Sequence, residues 1–395
     1  MRALVVSDLH FGAWTGDPVL ARPFALERLE PHLDDLDELV LLGDVFDFLF
    51  SSVEHAFEQA ESFFELVRRK MQGKRVVFLA GNHDHHIVVR TLRSAVETKV
   101  ASGAAGEKLE RMFAAEYRNF FQRFLDRRLA GVESEIVYPT YTVGDVLLTH
   151  GHYLDAHLTG SVPNRILSRA SWTIAGGRPN GGIAQEDYEA VIVPLTELLF
   201  TVAQMPRGCA VQMGFHRQFE RIGKILRLGT VAEHVARRAV RKPNGGSWRH
   251  RPVQLARACD PAEPAPVALA AFGRVVTELG WNRDAEKIVF AHTHQPLDGA
   301  VTDACGGVRF WNTGSWIHAP SVGTRGTYVN YLRRAWPGTA VLVDTERPKP
   351  FLIEMLADQN PLHGGGPRAG EMLRGEKHVF RVHGNRFRRR LRAHT

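Results

Sequence analysis

Five short polar clusters carry most of the chemistry open to this chain. They are Asp8-x-His10, Gly43-Asp44-x-x-Asp47, Gly81-Asn82-His83-Asp84, Thr149-His150-Gly151 and Ala291-His292-Thr293-His294. Asp, Asn and His without cysteine suit Mn²⁺, Fe²⁺ or Zn²⁺ better than a soft metal, and there are too many imidazoles for Ca²⁺. A carboxylate such as Asp44 can bridge two ions about 3.5–4 Å apart. Such a pair lowers the pKa of a trapped water and clamps both oxygens of an in-line displacement at phosphorus. Taken singly, each cluster has a plainer explanation. DxH and GDxxD occur in ordinary turns, and one histidine after a strand is more often a hydrogen-bonded core residue. Five clusters in one chain point to a site.

Most of the clusters close a short apolar run, as strands that end in a site do. Asp8 and His10 lie two apart after Arg2–Ser7, and strict strand geometry would turn both to one side. Gly81 permits the tight backbone that Asn82 and His83 need. Leu39–Leu42, Arg75–Ala80, Val146–Thr149, Lys287–Ala291 and Arg309–Trp311 read as buried strands, with Thr327–Leu332 and Thr339–Val343 later. Glu54–Met71 (Phe57, Phe63, Phe64, Leu66, Val67) and Glu107–Leu129 (Leu109, Phe113, Tyr117, Phe120, Phe121, Phe124, Leu125) repeat apolar residues at helical spacing. Their aromatics read as core contacts rather than a ligand box. Alternating strands and helices predict a layered α/β fold.

Tyr153–Asp284 breaks this alternation. It is mainly helical in pattern, with glycine-rich joints at 175–182 and 243–246 and a proline-rich loop at 260–266. The expected division is a core of 1–152 and 285–358, a helical insertion or cap of 153–284, and a basic tail of 359–395. Net charge is +7 over 395 residues. About a dozen Lys and Arg against two Glu fall in Arg207–Arg257 and five more arginines in Arg386–Arg392, which leaves about −8 for the remainder. Such segregated basic charge suits anionic lipid head groups, phosphates or nucleic acid, or forms solvated helix faces. Three scattered cysteines, Cys209, Cys259 and Cys305, offer no CxxC pair. With no signal-peptide pattern and no apolar run able to span a bilayer, the expected place is the cytoplasm, or the inner face of the membrane as a peripheral protein. Val191–Met205, broken by Pro194 and Glu197, reads as a buried or interfacial helix.

The order DxH, GDxxD, GNHD, THG and xHTH resembles the calcineurin-like metallophosphoesterase superfamily. The resemblance covers residues 1–151 and 287–317. It implies a four-layer α/β/β/α sandwich with the site at the strand ends. It also implies roles: Asp8, His10 and His294 on one ion, Asn82, His150 and His292 on the other, and Asp44 bridging. His83 would be catalytic, stabilising the phosphate oxygens or protonating the leaving group, and Asp84 would orient it. The family's GHxH stands here as Ala291-His-Thr-His294, which keeps both imidazoles. Asn312-Thr-Gly-Ser-Trp316 is similar to the turn that lines the site after those histidines. His85, His86, His152 and His157 are expected beside the ligands rather than among them. SDLHFG and GDVFDF resemble UDP-2,3-diacylglucosamine pyrophosphohydrolases locally.

The expected activity is two-metal hydrolysis of a phosphoester or pyrophosphate, with a metal-bridging hydroxide attacking phosphorus in line. Mn²⁺ comes first among the metals, then Fe²⁺ or Zn²⁺. A phosphorylated small molecule or lipid is the expected substrate, and an anionic membrane a peripheral partner. A nuclease, and a scaffold that binds metal without activity, are the alternatives. GDxVDRG and GNHE, the protein-phosphatase forms, are absent.

Overall fold

The computed structural model describes residues 1–88, 120–158, 168, 172–179, 181–205, 207–212, 265–318 and 332–360. The strands are β1 (Arg2–Val6), β2 (Asp17–Pro18), β3 (Glu38–Leu42), β4 (Arg75–Leu79), β5 (Glu133–Val137), β6 (Thr140–Val143) and β7 (Val146–Thr149) in the first half. The second half adds β8 (Lys287–Phe290), β9 (Leu297–Thr302), β10 (Cys305–Asn312), β11 (Ile317–His318), β12 (Thr339–Asp344) and β13 (Phe351–Glu354). The helices are α1 (Pro23–Leu29), α2 (Val53–Gln59), α3 (Glu61–Lys70), α4 (Phe120–Arg128), α5 (Gln185–Gln204), α6 (Ala265–Glu278) and α7 (Trp281–Asp284).

Two sheets result, in the orders β13-β12-β1-β3-β4-β5 and β6-β7-β8-β10-β9, while β2 and β11 form a separate pair. The centres are parallel, β1 with β3 and β4 in one sheet and β7 with β8 and β10 in the other. Residue parity builds the layers. Leu4, Val6, Leu39, Leu41, Val76 and Phe78 face an outer core with α1–α4. Their neighbours Ala3, Val5, Val40, Leu42, Val77 and Leu79 face Leu148, Val289 and Trp311 of the second sheet. The far side of that sheet, Leu147, Ile288, Phe290 and Phe310, packs on Phe272, Val275 and Val276 of α6. This is the expected α/β/β/α sandwich. Burial on both faces explains why the strands read as unbroken apolar runs.

The Phe57, Phe64, Phe121 and Phe124 rings surround Phe46, all within 5.8 Å of it by centroid, as core rather than ligand contacts. The predicted helix Glu54–Met71 divides at Ala60 (ψ −7°) into α2, capped by the Ser52 side chain, and α3. Helix α5 runs through Pro194 without a break. Leu109, Phe113, Tyr117, the joint at 243–246, the loop at 260–266, most of the basic stretch and the arginine-rich tail lie outside the described residues. So does Thr327–Tyr331 of the strand expected there, and Leu332 is helical. Among the described residues no helix is long and apolar enough to cross a membrane.

Candidate metal centre

The strand ends of β1, β3, β4, β7 and β8 deliver the five clusters to one place. Strand alternation does not aim Asp8 and His10, as the spacing suggested, because β1 stops at Val6. Both residues instead sit at left-handed φ, 52° and 51°, with Asp44 at 52°, His292 at 67° and His294 at 56°. Left-handed non-glycine backbone costs on the order of 1–3 kcal/mol where the surroundings enforce it. Here the bonds Asp8 N–H to Gly43 O (3.0 Å) and His10 N–H to Asp44 O (2.9 Å) hold the loops together. Gly81 is needed for space rather than for positive φ: a Cβ there would lie 2.2 Å from Asp44 Oδ1 and 2.8 Å from His150 Nε2.

One side of the cluster joins Asp8, His10 and His294. His294 Nε2 is 3.1 Å from Asp8 Oδ1 and 3.2 Å from His10 Nε2. Ser7 Oγ–H donates to Asp8 Oδ2, so Thr313 O–H, 2.6 Å away, must donate to Ser7. Burial works to raise the Asp8 carboxyl, and the imidazoles of His294 and His10 overcome it and hold it low.

The other side joins Asp44, His150 and His292. Asp44 Oδ2 is 3.2 Å from His150 Nε2 and 3.9 Å from His10 Nε2, so it reaches both sides. Burial opposes a charge on His150, but Asp44 raises its pKa to about 9. His150 Nδ1–H donates to the Leu42 carbonyl at 2.8 Å, which leaves Nε2 as the atom for a metal once its proton goes. His292 Nε2–H donates to Asp155 Oδ1 at 2.9 Å, which leaves Nδ1 as the lone pair of the neutral ring.

These residues fit a divalent metal. Asp8 Oδ1, Asn82 Oδ1 and His150 Nε2 are buried polar atoms without a hydrogen-bond partner. Left alone, such atoms carry a desolvation cost of about 1–3 kcal/mol each, which a cation would offset.

His83 and Asp84 differ from the expected pairing. His83 Nδ1 bonds Asp47 Oδ1 at 2.7 Å, not Asp84. Asp84 is fully buried and accepts backbone N–H groups from Gly81 (2.6 Å), Val45 (2.9 Å), Asp44 (3.3 Å) and Phe46 (3.4 Å). It ties the GNHD loop to the GDxxD loop. The chain from Gly81 to Asp84 turns the Asp84 carboxylate back onto Gly81, so it cannot also support the imidazole beside it. Burial, with Asp44 nearby, pushes Asp84 up to about 6. Burial also opposes a charge on His83, yet Asp47 and Asp44 raise its pKa. Its ring stands 5.6 Å from Phe50, and Phe50 stands 5.6 Å from Trp14.

Asp155 and Glu189 were not among the expected site residues. Asp155 follows His150 by five positions, and neither it nor Glu189 belongs to a motif. Helix α5 turns Glu189, Glu197 and Phe200 towards the GNHD segment: Glu189 bonds His85, and Glu197 bonds His86, on which Phe200 stacks at 3.6 Å. Its Leu195, Leu198 and the following Met205 are exposed. His152 is buried, its Nε2 3.2 Å from the Tyr138 hydroxyl, and burial keeps it neutral. His157 bonds Tyr188 at 2.6 Å. Asn312 donates to the Ala291 carbonyl at 2.8 Å and accepts from Gly314 N–H at 2.9 Å, so the turn after β10 supports the last histidines.

A family model described as calcineurin-like phosphoesterase matches residues 1–184. The match supports that superfamily. It includes Asp8, His10, Asp44, Asn82, His83, Asp84 and His150, and ends before His292, His294 and helix α5. It suggests a metal-dependent phosphoesterase, in keeping with the three groups of His and Asp side chains able to hold an ion. No curated protein matches the chain.

Proposed function

We propose that this protein is a two-metal-dependent hydrolase of phosphoester or pyrophosphate bonds. The observation that carries the reading is the pair of ligand groups, Asp8–His10–His294 and Asp44–His150–His292, with Asp44 Oδ2 within 3.9 Å of His10 and 3.2 Å of His150. Asn82 completes the second group through its unpartnered Oδ1. When bound, two divalent ions supply an activated water and a positive clamp on the phosphoryl oxygens. Mn²⁺ suits the mixed nitrogen and oxygen donors.

The chain's own part is electrostatic and geometric. His83 donates Nδ1–H to Asp47, so Nε2 is the atom available to the substrate. Asp47 and Asp44 raise its pKa, and in its cationic form it stabilises charge on the phosphoryl oxygens or gives a proton to the leaving oxygen. Phe50 and Trp14 supply an apolar side next to it. The local resemblance of GDVFDF places a nucleotide–lipid pyrophosphate among the substrates to try.

Chelation followed by dialysis should abolish turnover, and Mn²⁺ should restore it. The substrates are a phosphomonoester, a phosphodiester, a nucleotide pyrophosphate, a lipid pyrophosphate and DNA. Full activity in metal-free protein sinks the two-metal reading. Selective cleavage of DNA makes the protein a nuclease.

A further inference from the structure

One buried carboxylate outside every motif touches the two segments that carry Asn82 and His150, and a third segment, at Tyr138, beside them. Glu189, on α5, accepts His85 Nε2–H at 2.9 Å, Tyr138 O–H at 2.5 Å and Tyr153 O–H. His85 follows Asn82 by three residues, and Tyr153 follows His150 by three. Tyr138 stands at the corner between β5 and β6, and its hydroxyl also takes His152 Nε2 at 3.2 Å. The His152 ring lies 5.4 Å from His150 and 6.5 Å from His292.

Proton counting orders this network. A carboxylate only accepts, and each phenol has one proton. Both phenols give theirs to Glu189 Oε1, and His85 gives its Nε2–H to Oε2. The Tyr138 oxygen is then left to accept from His152. Burial opposes the Glu189 charge, while His85 and the two phenols hold the carboxyl below its usual range. Glu189 is therefore an ionised hub that three donors address.

We infer that Glu189 is a positioning residue for the Asn82–His150–His292 side of the metal centre, fixing the segments that carry Asn82 and His150. The other side, Asp8–His10–His294, makes none of these contacts. Its supports are Ser7, Thr313, the loop bonds from Gly43 and Asp44, and the His292 N–H, which donates to Asp8 Oδ2 at 3.3 Å. Removal of the Glu189 carboxylate thus acts on one ion and not on both. The inference rests on the two-metal reading above, but not on the reaction.

The test is Mn²⁺ titration of the full-length protein by calorimetry, with hydrogen exchange of the peptides covering 81–88, 136–143 and 148–157. Supports around metal ligands are worth about 10–100-fold in affinity. Glu189→Ala should weaken one of two Mn²⁺ equivalents by about 10-fold or more, leave the other within about 3-fold, and raise exchange in the three segments. Glu189→Gln keeps an acceptor for the tyrosines but loses the charge facing His85, so it should fall between. Thr201→Ala removes an exposed bond from the same helix to the Glu197 carbonyl, 2.7 Å long, without touching the hub or the three segments, and should leave both equivalents unchanged.

Two wild-type affinities in Glu189→Ala overturn the inference. Equal weakening of both ions, or the same loss in Thr201→Ala, makes Glu189 a structural residue and also overturns it. Wild-type protein that binds two ions but hydrolyses none of the substrates sinks the proposed reaction and leaves the inference standing. Wild-type protein that binds no Mn²⁺ sinks both.

Discussion

The two sides of the ligand cluster are built on different supports. Asp8 and His10 are held by the Ser7 and Thr313 hydroxyls and by loop backbone: Ser7 on Asp8, Thr313 on Ser7, Asp44 O on His10 N–H. His150 and His292 use the Leu42 carbonyl and Asp155, and the segments around His150 and Asn82 converge on Glu189 of α5. The first side is a product of the sandwich itself. The second borrows from a helix beyond the residues that the phosphoesterase family model matches. Metal affinity on the two sides should therefore respond to different substitutions.

The largest effects should come where the sides meet. Asp44→Asn removes the charge that reaches both His10 and His150, and should empty or loosen both sites with turnover falling to background. Gly81→Ala should do the same by sterics, because its Cβ would lie 2.2 Å from Asp44 Oδ1. Elemental analysis and activity of both variants check this. Normal metal content in either would mean that the two sides are independent.

His83→Ala should come next. It should keep both ions while kcat falls by about 10²–10⁴, the usual worth of a positioned acid or electrostatic group. Loss of metal equal to that of Asp44→Asn would make His83 a ligand, in line with its place in the group His10–Asp44–His83.

How much of this could be read from residue order depends on how local each contact is. Each cluster spans a few residues and closes an apolar run, so the strands β1, β3, β4, β7 and β8, and the meeting of the five clusters at their ends, were legible. β5, β6, β9 and β13 were not. Glu133–Val137 has only two strong apolar residues, and Leu297–Thr302 is half-exposed with Gly299 inside, so neither shows a buried run. The partner of His83 was misassigned to Asp84, its neighbour in sequence, because chain adjacency says nothing about the direction of a carboxylate inside a tight turn. Glu189 lies over a hundred residues from His85, and no period or spacing connects such a pair.

Asp47→Asn should have a smaller effect on rate, about 10-fold, and a specific effect on pH dependence. Asp47 raises the His83 pKa. The cationic form is thus present below that raised value and lost as pH rises through it. Without the Asp47 charge, deprotonation occurs at lower pH, so the alkaline limb of kcat should move towards acid. The kcat profiles of variant and wild type at saturating Mn²⁺ give the comparison. An unmoved limb would separate Asp47 from His83 protonation.

The smallest effect should appear in stability rather than in catalysis. In metal-free protein, Glu189→Gln exchanges a buried carboxylate with three donors for a neutral amide. The folded Glu189 carboxyl lies below its ordinary value of 4.5. The unfolded state therefore binds the proton more readily, and folding gains stability from this group as pH rises through that window. The gain is fully present above about pH 5 and is lost as pH falls through the folded value. Hydrogen bonds to a charged acceptor contribute about 1.5–3 kcal/mol. Denaturant unfolding at pH 7 should show Glu189→Gln less stable by about this amount, with the gap to wild type narrowing in acid as both carry a neutral side chain. Ser7→Ala, on the opposite side of the cluster, should show no such narrowing, because the Asp8 carboxyl that Ser7 donates to is held well below that window, against burial, by His294 and His10. A constant gap for Glu189→Gln from pH 7 down through the acid range would mean that the Glu189 carboxyl has the same pKa folded and unfolded. The contrast between a backbone-supported side and a charge-supported side would then have to be abandoned.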